Sequence, residues 1–168
     1  WLPHASFVGT DLRDTGMEDV GFVNVRLEGA DLRGARIIDA RLEYAQMAHA
    51  NLAGINLDGA VLRGANVANA TLAGTTMSEA ACQDLIGIGT DFSGAMLNLA
   101  DFTGAQLGGA NFRGAKLTDA VFNGANLTGA AFDGALDMDK ATFSGAHGVP
   151  RAVYDAKAFP SPPPPPAP

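Results

Sequence analysis

The chain has 168 residues and a formal net charge of −7, and it is 47% hydrophobic and 17% charged, which suits one globular domain. Such an acidic balance disfavours nucleic acid phosphates as the main partner and leaves an acidic surface for a basic one. The single cysteine, Cys82, excludes an internal disulfide and a cysteine-rich metal site, and no apolar run approaches the roughly 18 residues of a membrane span, so direct membrane insertion is not expected.

The chain begins at Trp1 without an initiator methionine, which suggests a trimmed form and makes the absence of a targeting segment uninformative. Residues 1–4 form an N-terminal cap on this reading. From Ala5 onward the sequence counts in fives. Positions 7, 12, 17 and so on to 132 are all apolar except Gly87, from Phe7 and Leu12 to Leu127 and Phe132. Two residues before each centre stands a small residue, Ala at 19 of the 27 positions from Ala5 to Ala135. Two residues after it stands a turn former, as in Gly34, Asp39, Asn69 and Gly114.

A step of five scatters large side chains around an α-helix, advancing about 140° beyond a full turn each time. In a flat strand an odd step alternates faces. The remaining solution is a backbone that runs straight and bends at every fifth residue, coiling into a solenoid with small and large positions inside. Between Phe92 and Phe132 the centres alternate Phe and Leu. A turn of three sides would stack Phe on Leu, whereas four sides stack like on like, giving columns Phe92, Phe112, Phe132 and Phe102, Phe122 beside Leu97, Leu117 and Leu107, Leu127. The expected fold is therefore all-β and four-sided, about seven coils over residues 5–146, roughly 34 Å long at about 4.8 Å per coil.

The register falters twice. At "ACQDLIGIGT", residues 81–90, the centre is Gly87 and the small position holds Leu85, as if bulk had moved between the two inward sites. Ile86 and Ile88 then point outward, unless the chain loops out locally and tucks them in. At "ALDMDKATFSGA" one extra residue shifts the centres to Met138 and Phe143, read as a bulged corner. Residues 147–159 form a C-terminal cap with a short helix opened by Pro150, and residues 160–168, "PSPPPPPAP" with its first proline, form a polyproline II tail serving as spacer or docked ligand.

Catalytic chemistry finds no constellation. His4, His49 and His147 are too far apart in sequence for a ligand motif, Cys82 occupies an inward slot, and "DMD" at Asp137 and Asp139 lacks the rest of a calcium loop. "GIG" at Gly87–Gly89 is followed by no phosphate-loop lysine, and the sequons at Asn69 and Asn126 arise readily from the repeat's own alphabet. No enzyme activity, cofactor or metal is expected.

The tandem pattern seen in "ANFRG", "ANLTG", "ADLRG" and "ADFTG" resembles the pentapeptide repeat protein family. The resemblance implies a right-handed quadrilateral β-helix with the central and preceding small residues in the lumen, and a non-catalytic structural or interaction role. It also suggests two settings, bacterial cytoplasm or chloroplast thylakoid lumen. Folded in turns of 20, one face carries Gln46, Asn66, Ile86, Ile88, Gln106 and Asn126 and little charge beyond Arg26 and Glu28, and is the candidate protein-docking stripe. The most acidic face carries Glu18, Asp19, Asp39, Asp58, Glu79 and Asp119 against Arg36 and Lys116. The expected function is a rigid rod docking onto a larger protein assembly, such as a photosynthetic thylakoid complex. The alternative is a DNA-mimicking inhibitor or protector of DNA gyrase.

Overall fold

A computed structural model describes residues 4–18 and 21–158, with side chains to residue 155. Most of the N-terminal cap, Asp19 and the proline tail lie outside the described residues. Parallel bridges join each side of the coil to the side 20 residues later, from Ser6↔Arg26 to Lys116↔Leu136. The bridge column through Ser6, Arg26, Gln46, Asn66, Ile86, Gln106, Asn126 and His147 has eight members and thus seven coil-to-coil steps. Four such columns make four sides.

Each side is built alike. In the side that starts at Asp91, the Asn111 amide donates to the Thr90 carbonyl (2.9 Å) and the Phe92 amide to the Asn111 carbonyl (2.8 Å), which fixes the parallel pairing. The corner closes when the Ala95 amide donates to the Phe92 carbonyl (3.1 Å) across Gly94, whose φ of 63° is the left-handed third position of a type II turn. Repetition of this turn explains why Gly, Asp and Asn recur at every fifth residue.

The lumen holds the centres and the small residues together. Ala from Ala30 to Ala135 and the centres from Phe22 to Phe132 are buried in one continuous cluster. The ring columns stack as the Phe–Leu alternation predicts: Phe92 on Phe112 (5.0 Å) and Phe112 on Phe132 (4.8 Å), with Phe102 on Phe122 (5.1 Å). Rings of the two columns meet edge to face at 5.5–6.2 Å. Both contacts suit the aromatic quadrupole. Two buried polar side chains stand at small positions with their hydroxyls satisfied: Thr75 donates to the Leu72 carbonyl and Thr90 to the Val67 carbonyl, each at 2.8 Å.

After Leu136 the pairing offset becomes 21, at Val121↔Thr142 and Asn126↔His147. Asp137 itself takes the left-handed conformation (φ 59°), and its carboxylate accepts from the Thr118 hydroxyl (2.7 Å) and the Lys140 ammonium (2.8 Å). The extra residue is absorbed in that corner. Phe143 then stacks on Phe122 at 5.2 Å, and Met138 packs partly buried against the core, as the shifted register predicts. Helix α1, Arg151–Ala158, follows Pro150 and turns Val153 into the core at 1% exposure.

Candidate protein-docking face

Along a straight side the residue before the centre and the residue after it face outward, because side chains alternate across an extended backbone. On the stripe through Gln46 and Asn126 these outward residues bond mostly within the stripe. Arg26 pairs with Glu28 (3.2 Å), the Asn66 amide donates to the Gln46 Oε1 (3.4 Å), and Asn126 Oδ1 accepts from the Thr128 amide (3.1 Å) and hydroxyl (2.8 Å). Gln46 and Gln106 turn their amides to the Tyr44 and Gly104 carbonyls at the preceding corner.

The departure at residues 85–88 leaves the coil intact. Ile86 bridges Asn66 on one side and Gln106 on the other, so the chain does not loop out. A Cβ placed on Gly87 would stand 2.9 Å from Leu107 Cδ2 and 3.5 Å from Leu85 Cδ2. Leu85, buried at the small position, and Leu107 of the next coil together occupy the lumen beside Gly87, and a side chain at this centre would require Leu107 to shift. The outcome at the surface is Ile86 at 39% and Ile88 at 53% exposure, on the face with the least charge.

The structure also reveals outward apolar residues on the opposite, acidic face: Ile38, Met96, Leu99 and Leu136. They occupy outward or corner positions of the register, a signal available in the sequence once the sides are assigned. On the same face Arg36 is bound to Glu18, so part of the acidity there is neutralised locally.

The remaining chemical candidates are placed as follows. His4 and His49 stand at two different corners, both at positive φ, and His147 pairs with Asn126 at the far end of the neutral column. Among the described residues no group of three His, Cys, Asp or Glu side chains could hold a metal ion. Cys82 is fully buried, and burial, with a smaller contribution from Asp101, pushes its thiol far above the ordinary value, so it is a packing residue without thiolate character. The Asp137 carboxyl is held below its usual range by Lys140 first and Thr118 second, bonds that lock the corner. Among the described residues no helix is long and apolar enough to cross a membrane.

The family description "Pentapeptide repeats" matches this chain in eight copies, over residues 40–79, 77–114 and 105–147. The chain belongs to the pentapeptide repeat family. Its solved structural neighbours include HetL, a pentapeptide repeat protein involved in heterocyst differentiation regulation from the cyanobacterium Nostoc sp. strain PCC 7120. The two are 19% identical, the match covers 86% of this chain and 87% of that one, and the TM-score is 0.54. A pentapeptide repeat protein from the Arabidopsis thaliana thylakoid lumen is 17% identical over 83% of this chain and 81% of that one, with a TM-score of 0.44. QnrB1, a plasmid-mediated fluoroquinolone resistance protein, is 17% identical over 86% and 91%, with a TM-score of 0.41. At these identities HetL speaks for the fold alone, and the other two add nothing to it. No curated protein matches the chain. Pentapeptide repeat proteins are in general structural or interaction modules, and no catalytic family is indicated.

Proposed function

We propose that this pentapeptide repeat protein is a non-catalytic interaction module, a rigid right-handed rod whose neutral face docks onto a larger protein assembly. One observation carries the reading: the coil keeps its register through Leu85–Ile88 while two isoleucines stand outside it on an uncharged surface. Burial of such a pair in a partner's pocket is the kind of anchor that dominates interface energetics, and the flanking Asn66 and Gln106 supply a polar rim. The assembly is a protein complex of the bacterial cytoplasm or of the thylakoid lumen, a photosynthetic complex being one example of the latter.

The test is recovery of the partner from the native source with wild-type protein and with the Ile86→Asp, Ile88→Asp variant. Both positions are outward, so the variant keeps its circular dichroism and melting behaviour and loses the partner. A wild-type protein that runs as a free monomer, or a variant that retains every partner, overturns the reading.

The net charge of −7 favours a second reading, mimicry of DNA toward gyrase. Local pairing weakens it. Arg13, Arg33, Arg36 and Arg41 hold Asp11, Asp31, Glu18 and Glu43, which breaks the continuous negative surface a duplex presents. A gyrase supercoiling assay that shows no effect at micromolar protein removes it.

A further inference from the structure

The coil that carries Ile86 and Ile88 on its neutral side carries Met96 and Leu99 on the opposite side, at 43% and 53% exposure. Leu99 is unusual in its backbone. Of the twelve non-glycine residues at positive φ among the described residues it is the sole aliphatic one, the others being Asp, Asn, Glu, His or Tyr. Aspartate and asparagine tolerate this conformation through local hydrogen bonds, whereas leucine has no such compensation. An exposed leucine held there gains no burial in the isolated chain. Backbone strain without a packing return motivates a search for an external contact.

The surroundings specify the contact's charge. Glu79 and Asp119 occupy the same corner column one coil away on either side, about 4.8 Å each way along the rod. The Glu79 amide donates to the Asn98 carbonyl and the Leu99 amide to the Thr118 carbonyl, which ties the three coils in order. Neither carboxylate forms an ion pair among the described residues. Lys116 stands beside Met96 in the bridge column, so one cation adjoins the site on that side, while Lys140 bonds Asp137 at 2.8 Å. Lys140 also feels Asp119 and Asp139.

We propose that Met96 and Leu99 form a second docking site, on the side opposite the isoleucines, for a peptide segment with apolar residues flanked by Lys or Arg. The apolar pair seats the segment and Glu79 and Asp119 select its charge. A second copy of this chain fits poorly, because two surfaces of a protein with net charge −7 repel. With two apolar pairs on opposite sides of one coil, one on a neutral face and one with Glu79 and Asp119 on either side of Leu99, the rod can hold two chemically different partners at a fixed spacing.

The probe is a labelled amphipathic helix of Leu and Lys, followed by fluorescence anisotropy, with the same peptide carrying Glu for Lys as control. The Leu/Lys peptide should bind at least about tenfold tighter than the Leu/Glu peptide. Leu99→Gly keeps the corner conformation, removes one buried leucine from the contact, and should weaken binding by about tenfold or more. Glu79→Gln with Asp119→Asn should weaken it and flatten its salt dependence. The Ile86→Asp, Ile88→Asp variant should bind the peptide as wild type does, which separates this site from the neutral face. The proposal is overturned if the Leu/Glu peptide binds equally well, if Leu99→Gly binds unchanged, or if the isoleucine variant loses the peptide. Sedimentation showing a dimer that Leu99→Gly dissolves would assign the surface to a second copy instead.

Discussion

Between Asp11 and Glu43 the outside of the coil carries ion pairs, most of them within one side, whereas from Phe92 to Phe143 successive coils are joined along the inside by stacked rings. In the first region Arg13 reaches Asp11 (2.7 Å) and Asp31 (3.8 Å), Arg33 holds Asp31 (2.7 Å) and Arg41 holds Glu43 (2.8 Å), while Phe7, Leu12 and Met17 of the first coil pack only partly buried against the core. In the second region Phe92, Phe102, Phe112, Phe122 and Phe132 are fully or nearly fully buried, and Val153 of α1 lies in the core at the far end. Exposed ion pairs contribute little, since water and salt screen them and two long side chains must be ordered. Buried rings contribute several times more. The centres from Leu27 to Leu72 are as fully buried as the rings, so the weak point is the partly buried first coil, which should open most readily, as end repeats of a solenoid do.

The largest expected effect comes from Leu117→Asp. Leu117 is fully buried between the ring columns, and a carboxylate there meets no partner, a loss on the order of 4 kcal/mol or more. Amide hydrogen exchange should show protection lost in the coils on either side, and wild-type protection there would contradict the account of the lumen. Next comes Phe112→Ala, which removes the ring stacked on both Phe92 and Phe132 and should cost about 3–5 kcal/mol. Phe7→Ala, at the half-open end, should cost less than half as much. Equal shifts of the denaturant midpoint for the two variants would break the contrast between the regions.

A smaller effect tests the exchange of bulk at residues 85 and 87. Leu85→Ala leaves a cavity and Gly87→Leu overpacks against Leu107, each destabilising alone by roughly 1–4 kcal/mol. Combined, they restore the ordinary small-then-large order. The double variant should be more stable than the sum of the singles predicts by about 0.5–3 kcal/mol in a double-mutant cycle. Simple additivity would show that Leu85 does not fill the place of the missing central side chain.

The four-sided coil and both ring columns were legible in the sequence because each depends on one backbone unit repeated at constant spacing. So was the shifted register that brings Phe143 onto Phe122. The fate of Ile86 and Ile88 was open, since looping out and bulk exchange satisfy the same pattern, and the bridges of Ile86 to Asn66 and Gln106 decide between them. Met96, Leu99 and Leu136 escaped notice for a different reason. A repeat read by its centres pays attention to what is inside, and an apolar residue at an outward position does not disturb the count. The role of Asp137 was likewise hidden. Read as half of a weak cation motif, it is a corner residue whose carboxylate is consumed by Thr118 and Lys140.

The smallest expected effect lies in the first region and concerns Arg13. Its guanidinium donates from Nε (2.9 Å) and Nη2 (2.7 Å) to the two oxygens of Asp11, because residues two apart on a straight side face the same way. These bonds, with the Arg13 backbone amide, hold the Asp11 carboxyl down at about 2. A lowered folded value stabilises the fold above the ordinary carboxylate pKa, and that contribution fades as pH falls through about 2. The pair is open to water, so the contribution is small at any pH. Arg13→Gln should therefore return the Asp11 titration, followed by carboxyl carbon NMR, toward the ordinary carboxylate range while leaving the thermal midpoint unchanged. A marked drop in the midpoint would mean that the outer ion pairs hold the first coils after all, and that the two regions differ less than their interiors suggest.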